Sequence, residues 1–128
     1  MKGFKNVNVY IKGKGIVKTS IGVENGKIKE IKDGIEVDEY MYLSDDLVVV
    51  PGFIDQHIHG VDNYDTMDGT IETIEGMANG LAKEGTTAFL ATTMTQSVEN
   101  ITRALKSVDE YMSLNKKTGS RVLGVHLE

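Results

Sequence analysis

From Leu47 onward the chain alternates between short apolar runs and amphipathic stretches, in the order strand, helix, strand, helix, strand. That order most constrains the fold. A strand followed by a helix of ordinary length and then another strand is the pattern of parallel β/α units, because parallel strands need a crossover connection. Leu47-Val48-Val49-Val50 is apolar, Pro51-Gly52 interrupts it, and Phe53-Ile54-Asp55 leads into His57-Ile58-His59-Gly60. The spacing predicts a helix over 70–84, with Ile71, Ile74, Met77, Ala78, Leu81 and Ala82 as its apolar stripe. Thr70 is its expected N-cap and Gly85 its C-terminal left-handed residue. Thr86–Ala91 is the next strand candidate. Ser97 is placed to cap a second helix with the stripe Val98, Ile101, Ala104, Leu105, Val108 and Met112. Gly119 closes that region, and Arg121–Glu128 reads as a third strand.

The first part of the chain has a different period. Val7, Val9 and Ile11 alternate with Asn8 and Tyr10, as in a half-buried strand. Gly13-Lys14-Gly15 breaks the run. Ile21 and Val23 alternate again, and Asn25-Gly26 is a tight-turn pair before Ile28 and Ile31. Residues 32–46 are acidic and irregular. Residues 1–49 are therefore expected to form a small antiparallel β unit, and residues 50–128 an α/β unit.

The 128 residues carry a formal charge of −5, which argues against nucleic acid or an anionic membrane as the main partner. With 40% hydrophobic and 26% charged residues, the chain can build a core and is not globally disordered. There is no cysteine, so disulfides and thiolate metal sites are excluded. No stretch is apolar over the length that spans a bilayer, and the first residues have no signal-peptide pattern. A cytoplasmic location is expected.

All three histidines lie at the ends of expected strands. Residues two apart in a strand point to one face, so His57 and His59 project together while Ile58 points away. Asp55 shares their parity and can orient a ligand or stay structural. His126 and Glu128 have matching parity on the last strand. Two imidazoles and a carboxylate suit a divalent ion such as zinc, iron or manganese. Catalytic groups of parallel β/α barrels gather at such strand ends. Two histidines at this spacing also occur as ordinary surface residues, and Glu128 by itself reads first as a solvated carboxylate.

Other motifs have plain structural readings. Thr92-Thr93-Met94-Thr95 can line a pocket, but threonine is a common strand residue. Asp62, Asp65 and Asp68 lack the spacing and glycine of a calcium loop, and read as a solvated loop and helix start. Met67, Met77 and Met112 are expected to fill core space. No glycine belongs to a phosphate-cradling loop.

Three runs together resemble one family. Val49-Val50-Pro51-Gly52-Phe53-Ile54-Asp55-Gln56-His57-Ile58-His59-Gly60 resembles the first barrel strand of the amidohydrolase superfamily. Gly85-Thr86-Thr87-Ala88-Phe89-Leu90-Ala91-Thr92 and Leu123-Gly124-Val125-His126-Leu127-Glu128 resemble segments of the N-acetylglucosamine-6-phosphate deacetylases, the second being the start of their His-Leu-Glu-Gly-Pro run.

The resemblance implies a (β/α)₈ TIM barrel, of which about three βα units are here, preceded by part of a small β-sandwich. It implies removal of acetate from N-acetylglucosamine 6-phosphate, with an amino-sugar phosphate as the small-molecule partner and one or two divalent ions as cofactor. Glu128 matches the family's carboxylate ligand, and His57 and His59 match a His-x-His pair that many superfamily members use. The family's acid–base Asp and two further histidines come from later strands. By this resemblance the chain is the front part of such an enzyme, expected to be inactive alone, and no catalytic residue is assigned within it. Two rival readings stand beside it. A dihydroorotase-like amide hydrolase shares the His-x-His strand but characteristically bridges its metals with a lysine. A non-catalytic β/α module would assemble through its open sheet edges, as a homo-oligomer or with another chain.

Overall fold

The structure, a computed structural model, describes residues 1–128. It divides into two compact units, Met1–Pro51 and Gly52–Glu128.

In the first unit, β1 (Lys2–Ile11) pairs antiparallel with β2 (Gly15–Glu24), which pairs antiparallel with β3 (Lys27–Ile31). Asn25 (φ 52°) and Gly26 (φ 73°) make the β2–β3 turn, both in the left-handed region that two-residue hairpins require. The alternation of β1 buries Val7 and Val9, which pack with Ile21 of β2. A bulge between Phe4 and Val7 is accommodated by Asn6 at φ 52°.

The expectation of a purely antiparallel unit fails at the other edge of β1. There β4 (Glu39–Met41) and β5 (Val48–Val49) both run parallel to β1. The sheet order is β3-β2-β1-β4, so residues 32–38 carry the chain from one edge to the other. Ile35, 3% exposed, anchors that crossing. It also requires Gly3, where a Cβ would come within 2.6 Å of the Ile21 carbonyl oxygen and 3.0 Å of Val37 Cγ1. Period-two alternation reports which face is buried and carries no signal of strand direction.

In the second unit, β6 (Phe53–Ile58) is followed by a small hairpin, β7 (Gly60–Val61) and β8 (Tyr64–Asp65). Asp62 (φ 53°) and Asn63 (φ 65°) form its turn. Asp65 then caps a 3₁₀ turn over Thr66–Asp68 in a reciprocal arrangement, accepting from Met67 N while Asp68 accepts from Asp65 N. The three aspartates of this segment thus serve a turn and a cap. Next come α1 (Ile71–Lys83), β9 (Thr86–Thr92), α2 (Val98–Ser113) and β10 (Arg121–His126). The three longer strands are parallel, in the order β10-β9-β6. Thr70 and Ser97 cap the helices through their hydroxyls, and Gly85 leaves α1 at φ 82°.

The core lies between the helices and the central strand. Ile74, Met77, Ala78 and Leu81 of α1 meet Phe89 and Ala91 of β9, Val108 and Tyr111 of α2 and Val122 of β10. Each large side chain fully buried here contributes about 1.5–3 kcal/mol. The observed face of α2 is rotated from the expected stripe. Ala104, Ser107, Val108 and Tyr111 are buried, whereas Val98 is 82% exposed and Met112, expected as core, 42%. Tyr111 offers more area to the core than Met112 does. Ser107 tolerates burial because its hydroxyl donates to the Ala104 carbonyl at 2.8 Å. Ala82 is likewise exposed, while Met67 and Met77 are core. No helix is long and apolar enough to cross a membrane.

Candidate metal centre

Strand β6 ends with His57 and Ile58, His59 follows, and β10 ends at His126 with Glu128 two residues beyond. These ends lie on the same, C-terminal side of the parallel sheet. There the three sequence-designated residues come together. His57 Nε2 lies 3.3 Å from His59 Nε2 and 3.0 Å from Glu128 Oε2, and His59 Nε2 lies 3.2 Å from the same oxygen. Their side chains are 51%, 33% and 45% exposed, so the site is open to solvent.

Each group is held from outside the triangle. His59 Nδ1 faces the Thr92 carbonyl at 3.3 Å. A carbonyl only accepts, so Nδ1 carries the proton and Nε2 presents a lone pair to the triangle. The His59 carbonyl accepts from both Thr66 N, at 2.8 Å, and Thr66 Oγ1, at 3.0 Å. Thr92 Oγ1 accepts from Ile58 N at 3.0 Å, and Thr93 Oγ1 accepts from Glu128 N at 3.2 Å. Asp55 is occupied by the backbone, accepting from His57 N at 3.0 Å. That bond holds the backbone of a candidate ligand, so both of its readings stand. His126 donates from Nδ1 to the Gln56 carbonyl at 2.8 Å and stands outside the donor triangle.

Thr66, Thr92 and Thr93 are fully buried beneath the exposed ligand-type groups. The Thr92-Thr93 pair was legible as a strand end that could line a pocket, and nothing in the local sequence marked Thr66. Their roles depend on tertiary hydrogen bonds that spacing does not encode.

The donor set fits a divalent cation. Two imidazole nitrogens and a carboxylate form a borderline N/O set suited to zinc, iron or manganese. An ion about 2.0–2.1 Å from tetrahedral ligands separates those ligands by about 3.3 Å, and the observed edges lie within a few tenths of that. The two ring nitrogens and the carboxylate oxygen face a common point, which a cation would bridge.

Parallel strands with such groups gathered at their carboxyl ends define a β/α protein of the type that does its chemistry at that face of the sheet. Within that class, the Amidohydrolase family model matches residues 48–121, and the chain belongs to the amidohydrolase family. It is 36% identical, over 97% of its length, to the N-acetylglucosamine-6-phosphate deacetylase of Bacillus subtilis (strain 168), of which it spans 33%. It is 39% identical, over 84% of its length, to the deacetylase of the same name from Lysinibacillus sphaericus, spanning 28% of that protein. Among solved structures, the N-acetylglucosamine-6-phosphate deacetylase of Thermotoga maritima superposes with a TM-score of 0.77 at 31% identity, over 98% of this chain and 31% of that one. The chain thus spans about a third of the length of the relatives it matches.

Proposed function

We propose that this chain supplies the first metal ligands of a metal-dependent amide hydrolase acting on N-acetylglucosamine 6-phosphate, releasing acetate and glucosamine 6-phosphate. The observation that carries the reading is the convergence of His57 Nε2, His59 Nε2 and Glu128 Oε2 at the carboxyl ends of parallel strands. The names of the similar deacetylases support the choice of substrate. A carboxylate at position 128, rather than a lysine, favours this reading over a dihydroorotase-like one. On the same reading, β6, β9 and β10 with their helices open a (β/α)₈ barrel, and the first unit is part of a small sandwich.

His57, His59 and Glu128 hold the ion. When bound, a zinc, iron or manganese ion supplies Lewis-acid polarisation of the acetamide carbonyl and lowers the pKa of a water toward neutrality. The carbonyl of Thr92 keeps His59 in the tautomer that directs Nε2 at the site, and the hydroxyl of Thr93 fixes the backbone bearing Glu128. Glu128 is the sole carboxylate of the donor cluster, and Asp55 is engaged by the His57 amide. The role of protonating a leaving amine is assigned to no residue of this chain.

Purified chain is expected to bind one divalent ion, measured by calorimetry with zinc and by Co(II) absorption, and to release no acetate from N-acetylglucosamine 6-phosphate. His57→Ala, His59→Ala and Glu128→Ala should each lower affinity by more than the 10–100-fold typical of losing an outer partner. Unchanged affinity in all three would refute the ligand assignment. Chelator-sensitive acetate release by the chain alone would refute the division between binding and turnover.

A further inference from the structure

We infer that His126 is a positioning residue that fixes the ring of His57, an inference that rests on the metal-binding reading above. His59 is secured from outside the triangle at its ring, Nδ1 facing the Thr92 carbonyl, whereas Glu128 and His57 are secured there only at their backbone N–H groups, by Thr93 and by Asp55. The ring of His57 makes its nitrogen contacts through Nε2 alone, to His59 and Glu128. Those are the groups that must be free to turn their lone pairs to an ion. Its side chain is 51% exposed, so solvent does not confine it.

Aromatic packing bounds the ring instead. His59 stands edge-on at 5.1 Å between centroids, with planes at 76°, and His126 lies closer, at 4.5 Å with planes at 58°. His126 is itself anchored. Its Nδ1 donates at 2.8 Å to the carbonyl of Gln56, the residue just before His57. The sheet order is β10-β9-β6, so this bond joins two strands that do not pair, across the end of β9. One imidazole therefore both packs on the His57 ring and ties down the backbone that carries it. The same link brings the strand leading to Glu128 to the strand bearing the histidines.

The test is a Co(II) titration of the full chain and of three variants, followed by visible absorption and calorimetry. His126→Ala removes ring and donor, His126→Asn keeps an N–H donor toward Gln56, and His126→Phe keeps a ring face. His126→Ala is expected to weaken Co(II) binding about 10–100-fold with one ion still bound and the spectrum of the ligand set unchanged. The Asn and Phe variants should each recover part of that loss. In the metal-free chain, nuclear Overhauser contacts between the His57 and His59 rings should be present, and lost in His126→Ala. Wild-type affinity in His126→Ala overturns the inference. So does a loss as large as that of His57→Ala accompanied by a changed spectrum, which would make His126 a ligand. If the wild-type chain takes up no Co(II), the metal reading falls, and the ring contacts alone decide the inference: kept in His126→Ala they overturn it, lost they uphold it. If circular dichroism shows His126→Ala unfolded, wild-type affinity in both the Asn and Phe variants overturns it, and weakened binding in either upholds it.

Discussion

Replacing Thr92 by valine removes one hydroxyl from a fully buried position with almost no change of volume. Its Oγ1 is the acceptor for Ile58 N at 3.0 Å, and valine offers no acceptor there. A donor left unsatisfied away from water costs about 1–3 kcal/mol. Thr66→Val is the matched comparison, because Thr66 is equally buried and also loses a hydroxyl. There the partner is the His59 carbonyl, which keeps a second donor, Thr66 N at 2.8 Å, so only a net hydrogen bond of about 1 kcal/mol disappears. For a unit of this size each kcal/mol lowers Tm by about 4–8 °C. Thermal unfolding followed by circular dichroism should therefore give a fall of roughly 8–16 °C for Thr92→Val and about half that for Thr66→Val. The Thr92 carbonyl survives the substitution, so His59 keeps its orienting acceptor and one divalent ion should still bind. Equal Tm losses in the two variants, or a larger loss in Thr66→Val, would show that unsatisfied donors do not govern stability around this site.

Two further perturbations probe packing and charge. Gly52→Ala should lower stability by about 1–3 kcal/mol, because the new Cβ would meet Thr87 Cγ2 at 2.0 Å. Urea unfolding of Gly52→Ala with Thr87→Gly should recover part of the loss, and purely additive effects would contradict a local clash. The N-terminal amine and Asp38 form an exposed ion pair at 2.6 Å, whose mutual hydrogen bond raises the amine above its ordinary 8.0 and lowers the carboxyl below its ordinary 3.8. A raised amine contributes stability that is whole below 8.0 and fades as pH rises through the folded value. A depressed carboxyl contributes stability that is whole above 3.8 and fades as pH falls through the folded value. The pair should thus be intact between those limits. Titration of the Asp38 side-chain signals by NMR should give a midpoint below 3.8 that moves upward with salt, and an unshifted midpoint at low salt would refute the pairing.

What the sequence made legible follows from how far each signal reaches along the chain. The helices were plain because their caps, Thr70 and Ser97, act on amides three residues away. The Asn25-Gly26 turn was plain because its two residues set their own φ angles. His57 and His59 could be paired from strand parity, as Glu128 could with His126, and resemblance to the deacetylases matched Glu128 to a carboxylate ligand. Direction of pairing was not legible, so β4 and β5 emerged as parallel neighbours of β1 only in three dimensions. Nor was the rotation of α2, since Val98, Leu105 and Met112 satisfy a helical stripe as well as Ala104, Val108 and Tyr111 do. Choosing between them requires knowing what the helix packs against.

The candidate ligands come from the two outer strands, and the central strand β9 supplies none. Thr92 and Thr93 at its end have no exposed surface and so cannot reach an ion in solvent. From that position they nevertheless bond both flanks. Thr92 takes Ile58 N and His59 Nδ1, while Thr93 takes Glu128 N and gives its own N–H to the His126 carbonyl at 3.1 Å. Burial makes these bonds costly to lose, and exposure makes the ligand side chains cheap to replace. Binding and stability are thereby carried by different residues at one strand end. Changes at His57, His59 or Glu128 should weaken metal uptake by more than about 10–100-fold with little movement of Tm in the metal-free chain, whereas changes at Thr92 lower Tm first. If the ligand variants unfolded as readily as Thr92→Val, the triangle would be part of the structural core rather than a site resting on it.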